Sequence, residues 1–145
     1  MNKIEREEQW HQLFMRFAGD VGNMSRARRL KVGAVAVKDR RVVAIGYNGT
    51  PPGADNNCED ELPDGSLVSK ENVIHAEDNL IRFAEANDIS LYDCTLYITH
   101  SPCPHCCEKI SKAGFSKVVF GKQFRDMSGL QALENDKGVE VYEWN

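Results

Sequence analysis

The sequence predicts a three-layer α/β/α domain built on a five-stranded mixed sheet. Three observations carry that expectation. β-Branched runs alternate with amphipathic helical stretches, which is the pattern of an α/β domain. The first two such runs are separated by only four charged residues, Lys38-Asp39-Arg40-Arg41, so they pair as an antiparallel hairpin. The chain has 145 residues, 41% apolar and 28% charged, which suits one globular core, and residues 1–145 are read as a single domain.

In chain order, Trp10, Leu13, Phe14, Phe17 and Val21 recur at helical spacing, so a first amphipathic helix is expected over Ile4–Val21, broken by Gly22-Asn23. Val32–Val37 and Val42–Gly46 form the hairpin. Residues 49–68, rich in Pro, Gly, Asn and Asp, read as one long loop. A second helix is expected from about Asn72, its cap, to Asn87. The strand Thr95–Thr99 follows, then a helix from Pro102, capped by Ser101, to Ala113 and ended by Gly114. Lys117–Phe120, a short helix over Gly129–Asn135 and the strand Val139–Tyr142 complete the alternation.

Composition narrows the function. The net charge is −4 and the pI about 5.6, which argues against broad nucleic-acid binding while leaving room for a small cationic pocket. No apolar run reaches the ~18 residues of a membrane helix. The charged N-terminus lacks the apolar core of a signal peptide, so a cytoplasmic protein is expected. The cysteines, Cys58, Cys94, Cys103, Cys106 and Cys107, are odd in number and three of them crowd together, a pattern of metal binding or free thiols rather than disulfides.

Two segments concentrate the chemistry: His75-Ala76-Glu77 and Pro102-Cys103-Pro104-His105-Cys106. Alone, His-x-Glu is commonly structural, and Cys-x-x-Cys is ambiguous between zinc, redox chemistry and neither. Together, with 24 residues between Glu77 and Pro102, they form the signature of zinc-dependent nucleobase deaminases. His75, Cys103 and Cys106 would be the ligands, and three protein ligands leave one position open, as in a catalytic zinc site. Glu77 would move protons between water, ring nitrogen and departing amine. His75 and Glu77 are two apart and cannot both face a metal lying alongside one helix, so the metal is expected off the helix ends, between two N-termini. Cys107 and His105, beside the ligands on the same helix, are poorly directed to serve as a fourth ligand. Cys94 and Cys107 read as packing residues.

The chain resembles the deoxycytidylate (dCMP) deaminases within the cytidine-deaminase-like superfamily. Beyond the zinc motif, the likeness rests on Val32-Gly33-Ala34-Val35, Gly46-Tyr47-Asn48-Gly49-Thr50-Pro51, Gly53, Asn57-Cys58, Asn79 and Leu96-Tyr97-Ile98-Thr99, and spans roughly residues 20–142. It implies hydrolysis of dCMP to dUMP and ammonia, feeding thymidylate synthesis in the cytoplasm (the host's, for a phage relative). It also implies a homohexamer activated by dCTP with Mg2+ and inhibited by dTTP. Asn48 would hold the deoxyribose hydroxyl, and Phe124 stands where the family has an aromatic residue near the ring. The effector site would use Gly49, Asn56, Asn57 and Glu59, with Phe83 at a subunit contact.

Beside that resemblance, Arg26 in the cluster Arg26, Arg28, Arg29, Lys31 is the natural phosphate partner, because a guanidinium grips phosphate oxygens bidentately. Ser25 and Thr50 would add hydroxyls, and Ala76 and Ser101, beside the ligands, would read the pyrimidine edge. No histidine lies in the 16 residues between Cys58 and His75, so one zinc per chain is expected, without a second, structural ion. Asp78 and Leu80 depart from the family's frequent Leu and Ala. A tRNA adenosine deaminase would need a more basic surface, a nucleoside deaminase no phosphate pocket, and a non-catalytic zinc module no Glu77.

Overall fold

The computed structural model describes residues 1–124 and 126–145. Helix α1 (Lys3–Gly22) begins where the Asn2 side chain accepts the Glu5 amide at 2.9 Å, and it buries Phe14, Met15, Ala18 and Val21. Strands β1 (Gly33–Lys38) and β2 (Arg41–Tyr47) follow as the expected hairpin. Its two-residue turn, Asp39-Arg40, has φ of 50° and 60°, the doubly positive geometry that matches strand twist.

The stretch expected to be one loop contains a small separate hairpin, β3 (Glu59–Glu61) with β4 (Leu67–Ser69). Short polar strands carry no apolar alternation, so periodicity does not reveal them. Then come α2 (Ala76–Ala86), β5 (Thr95–His100), α3 (Pro104–Ala113), β6 (Lys117–Lys122), α4 (Ser128–Asp136) and β7 (Glu140–Glu143). The sheet order is β2-β1-β5-β6-β7, with β1 antiparallel to both neighbours and β5, β6 and β7 parallel. The five-stranded mixed sheet is therefore as expected.

Period-2 alternation distributes the core to two faces. Val35, Val37, Tyr97 and Val119 meet α1, while Ala34, Ala36, Leu96, Ile98, Val118 and Phe120 meet residues of α2, α3 and α4. This is the three-layer arrangement. Among the described residues no helix is long and apolar enough to cross a membrane.

Both site helices start later than their sequence caps suggested. Gly49 and Ile74 exchange two backbone hydrogen bonds of 3.1 and 2.7 Å. These hold the chain extended up to His75, which becomes the N-cap of α2 in place of Asn72. In the third helix, Ser101 donates its amide to the Lys122 carbonyl at 2.8 Å and so prolongs the β5–β6 ladder instead of capping. Cys103 precedes Pro104, which disfavours helical backbone, so Cys103 (φ −73°, ψ 163°) is the cap and Pro104 the first helical residue.

Gly46 sets how closely α2 approaches the sheet. A Cβ there would lie 2.5 Å from the Ala76 carbonyl oxygen and 2.7 Å from the Leu80 amide nitrogen, so only glycine lets β2 touch the start of α2.

Candidate active site

The late helix starts decide the site. His75 and Cys103 are the N-caps of α2 and α3, neither using its side chain to close its own helix. Cys106 follows one turn into α3. The His75 Nδ1 atom lies 3.7 Å from Cys103 Sγ and 3.4 Å from Cys106 Sγ. All three donor atoms fall within 4.8 Å of one another, the group among the described residues that could hold a metal. A tetrahedral zinc with ordinary Zn–N and Zn–S lengths needs N···S separations of about 3.6 Å. The donor set therefore fits zinc in both chemistry and spacing, off the ends of two helices as the sequence requires.

Electrostatics prepare the thiols. Hydrogen bonds from Cys106 and His75 hold the Cys103 thiol down to about 3, so it stands as a thiolate. The Cys106 thiol is raised, first by its bond to Cys103 and then by burial and Glu77, so this sulfur keeps the proton of the pair until a cation displaces it. The positive ends of both helices favour that negative charge.

Glu77, on the first turn of α2, is buried, with its Oε1 3.8 Å from His75 Nδ1. Burial raises its carboxyl pKa, the nearby His75 opposing, which suits a group that both holds and releases a proton. Behind it, the Lys109 ammonium lies 2.8 Å from Asp78, which also pairs with Arg82 at 3.2 Å. The departure at Asp78 thus ties α2 to α3.

A small pocket opens over these groups, walled by His75, Ala76, Glu77, Asn48 and Ser101 together with Val32 and His100. The structure thus brings together seven of the expected site residues: Asn48, His75, Ala76, Glu77, Ser101, Cys103 and Cys106. Asn48 is fixed through both amide atoms, accepting from the Val32 amide at 2.9 Å and donating to the Leu30 carbonyl at 2.8 Å. Ser101 Oγ accepts the Phe124 amide at 2.9 Å, which places Phe124 at the rim; its exposed ring meets the edge of His100.

The remaining candidates lie outside the cavity wall. Ser25 is buried and its hydroxyl donates to the Asn48 carbonyl at 2.7 Å, a brace for Asn48. Thr50 is half-buried and Arg26 exposed. Gly49 is committed to Ile74, and Asn56 and Phe83 are exposed. Asn57 Oδ1 accepts from Arg28 Nη2 at 3.3 Å. The Glu59 carboxylate is buried and accepts the Arg28 and Arg29 amides. Cys107 is buried with its thiol raised to about 12 by burial, so it packs rather than ligates. Sequence reasoning missed Val32 and His100 as wall residues. The signal was their place at a strand end, β1's start and β5's finish, beside the opening.

Comparison with known proteins agrees with this geometry. The model of the cytidine and deoxycytidylate deaminase zinc-binding region matches residues 8–122. The chain is 36% identical over 140 residues to an uncharacterized deaminase in the luxG 3′ region of Aliivibrio fischeri, covering 91% of each. It is 36% identical over 124 residues to the deoxycytidylate deaminase of Mycobacterium phage D29, covering 79% of this chain and 95% of that protein. The crystal structure of the dCMP deaminase from cyanophage S-TIM5, in complex with dCMP and dUMP, superposes with a TM-score of 0.83 at 36% identity over 99% of both chains. A family match of this extent, joined to relatives of this identity along most of their length, makes the chain a member of the cytidine and deoxycytidylate deaminase family.

Proposed function

We propose that the protein is a zinc-dependent dCMP deaminase that hydrolyses dCMP to dUMP and ammonia and so supplies dUMP for thymidylate synthesis. The observation that carries this reading is the buried Glu77 beside a His75–Cys103–Cys106 donor set at zinc spacing. The likeness to phage dCMP deaminases supports the pyrimidine nucleotide as substrate.

His75, Cys103 and Cys106 would hold one zinc per chain, which when bound supplies a Lewis acid that makes water nucleophilic near pH 7. The chain's own part is to place and move protons. Glu77 takes a proton at its carboxylate and delivers it to the ring nitrogen and the departing amine, a role its raised pKa suits. Ala76 and Ser101 face the base edge from the two helix starts, Asn48 orients the sugar, and Phe124 covers the rim.

By the same resemblance the enzyme works as a cytoplasmic homohexamer, activated by dCTP with Mg2+ and inhibited by dTTP. Gly49, Asn56, Asn57 and Glu59, with Phe83 at a subunit contact, are the candidates to meet an effector.

Ammonia release from dCMP, deoxycytidine, dCTP and adenosine-containing tRNA, measured in parallel with and without the effectors, tests the reading. dCMP should be strongly preferred. Glu77→Gln should keep zinc and fold while lowering turnover by about 10²–10⁴-fold. A Gln variant as active as the wild type refutes the assigned proton transfer.

A further inference from the structure

Cys103 stands just outside the first turn of α3, half-buried, and its side chain does not close the helix. Helix ends fray, so a metal ligand placed at one needs its backbone fixed from elsewhere. On one side of it, the Pro102 carbonyl lies 3.9 Å from Cys107 Sγ, so the Cys107 thiol donates to the residue before the ligand. On the other side is Pro104, and against Pro104 lies α4.

α4 reaches Pro104 through Gly129, the second residue of that helix and a buried one. A Cβ there would stand 2.6 Å from Pro104 Cα, 2.9 Å from Cys107 Sγ and 3.1 Å from Cys107 Cβ. The Pro104 and Cys107 carbons do not move with any rotamer change. Glycine inside a helix loses more backbone entropy than alanine, so an alanine with room to fit would stabilise α4. Here the methyl has no room. Nor can α4 readily step back, since Leu130 and Leu133, each 2% exposed, share one apolar core with Cys107 and Ile110 of α3. The start of α3 is the softer partner, with Pro104 half-buried and His105 exposed.

We infer that Gly129, with the Cys107 thiol packed beside it, is a positioning residue for the zinc ligands: it lets α4 press on the backbone around Cys103 and so sets where the Cys103 sulfur stands. The inference rests on the zinc reading above and adds to it a helix that supplies no ligand. α2 is seated in the same way from the other side, where Gly46 of β2 meets the Ala76 carbonyl. The two ligand-bearing helix starts are thus each held by a close contact that only glycine permits. Outer contacts that orient metal ligands typically change metal affinity or activity by about 10–100-fold when removed.

The test uses the full chain loaded with zinc, or with cobalt(II), whose visible bands report ligand geometry. Gly129→Ala should weaken zinc binding, measured by competition with a chelator, by about 10–100-fold and should shift or weaken the cobalt bands. Its melting temperature should fall by about 3–10 °C. At saturating zinc, kcat for dCMP should fall by about 10–100-fold with KM within about threefold. Leu133→Ala, on the same helix, empties core space without crowding Pro104. It should lower the melting temperature at least as much, yet leave zinc affinity within about threefold of the wild type. In Gly129→Ala combined with Cys107→Ala, the sulfur at 2.9 Å is gone while Pro104 Cα at 2.6 Å remains. That double variant should melt above the sum of the single effects and still bind zinc at least about tenfold more weakly, and it carries the measurement if the single variant does not fold. Wild-type zinc affinity and cobalt bands in either Gly129→Ala protein overturn the inference alone, as does an equal loss of zinc in Leu133→Ala. A wild type that holds no zinc removes the metal reading and this inference together.

Discussion

Gly46 offers a direct test of whether the sheet, and not only the ligands, sets the active-site geometry. In Gly46→Ala the new methyl would stand 2.5 Å from the Ala76 carbonyl oxygen, 2.7 Å from the Leu80 nitrogen and 2.9 Å from Leu80 Cβ. Ordinary contact begins near 3.4 Å, so the start of α2 must retreat by roughly 0.9 Å. Two of the three blocking atoms are backbone, so no rotamer change relieves the clash. Overpacking of this kind costs about 1–3 kcal/mol, which for a domain of this size lowers the melting temperature by about 3–10 °C. The effect on activity should be larger. His75 and Glu77 flank Ala76, and a misplacement near 1 Å costs about 100-fold in rate. Thermal unfolding, zinc content and kcat for dCMP, measured on one preparation, separate the two effects. The expected result is a folded variant with a modest melting shift and a kcat reduced by about 30–100-fold. A variant within about 2 °C and twofold of the wild type would show that α2 does not rest on β2 as described.

Two further perturbations probe the metal and a buried histidine. Cys106→Ala should abolish zinc binding, read by elemental analysis as loss of the one equivalent per chain expected of the wild type. It should also lower the melting temperature by more than about 10 °C, since a ligand a thousandfold above its Kd contributes about 4 kcal/mol; a chelator should do the same to the wild type. His11, on the buried face of α1 with Nδ1 2.8 Å from the Tyr97 hydroxyl, has its pKa lowered chiefly by burial and then by Lys117, against opposing pulls from Glu8, Glu7 and Glu140. Its stabilising contribution is complete above the ordinary value of 6.5 and is lost as pH falls from there toward the folded value. Urea midpoints at pH 7.5 and 5.5 should therefore fall more for the wild type than for His11→Gln, and equal drops would remove His11 from the acid response.

Much of this molecule could be read from residues alone because its elements advertise themselves through burial. Alternation in Val32–Val37 and Leu96–Thr99, and helical spacing in Phe14, Phe17 and Val21, report which face is inside. The metal donors were legible because the chemistry of the ion restricts residue type and spacing. What escaped was set by backbone partners far along the chain. The start of α2 depends on Gly49 pairing with Ile74, and that of α3 on which of two prolines opens the helix. The hairpin Glu59–Ser69 has too little apolar surface to show a period. Glu59 reads only as part of a long loop and an effector candidate because nothing local marks a carboxylate whose donors lie 30 and 31 positions earlier.

Because His75 and Cys103 cap their helices, the reactive centre depends on where two rods begin and hardly on what they contain further along. Drift in the later turns of α2 and α3 is then a matter for solubility and packing, not for bond-breaking. In the proposed function, the segments that would choose the client are separate pieces of chain: the approach to β1, the turn after β2 and the stretch after β6. Exchanging those pieces would redirect the same engine to a different amine without rebuilding it.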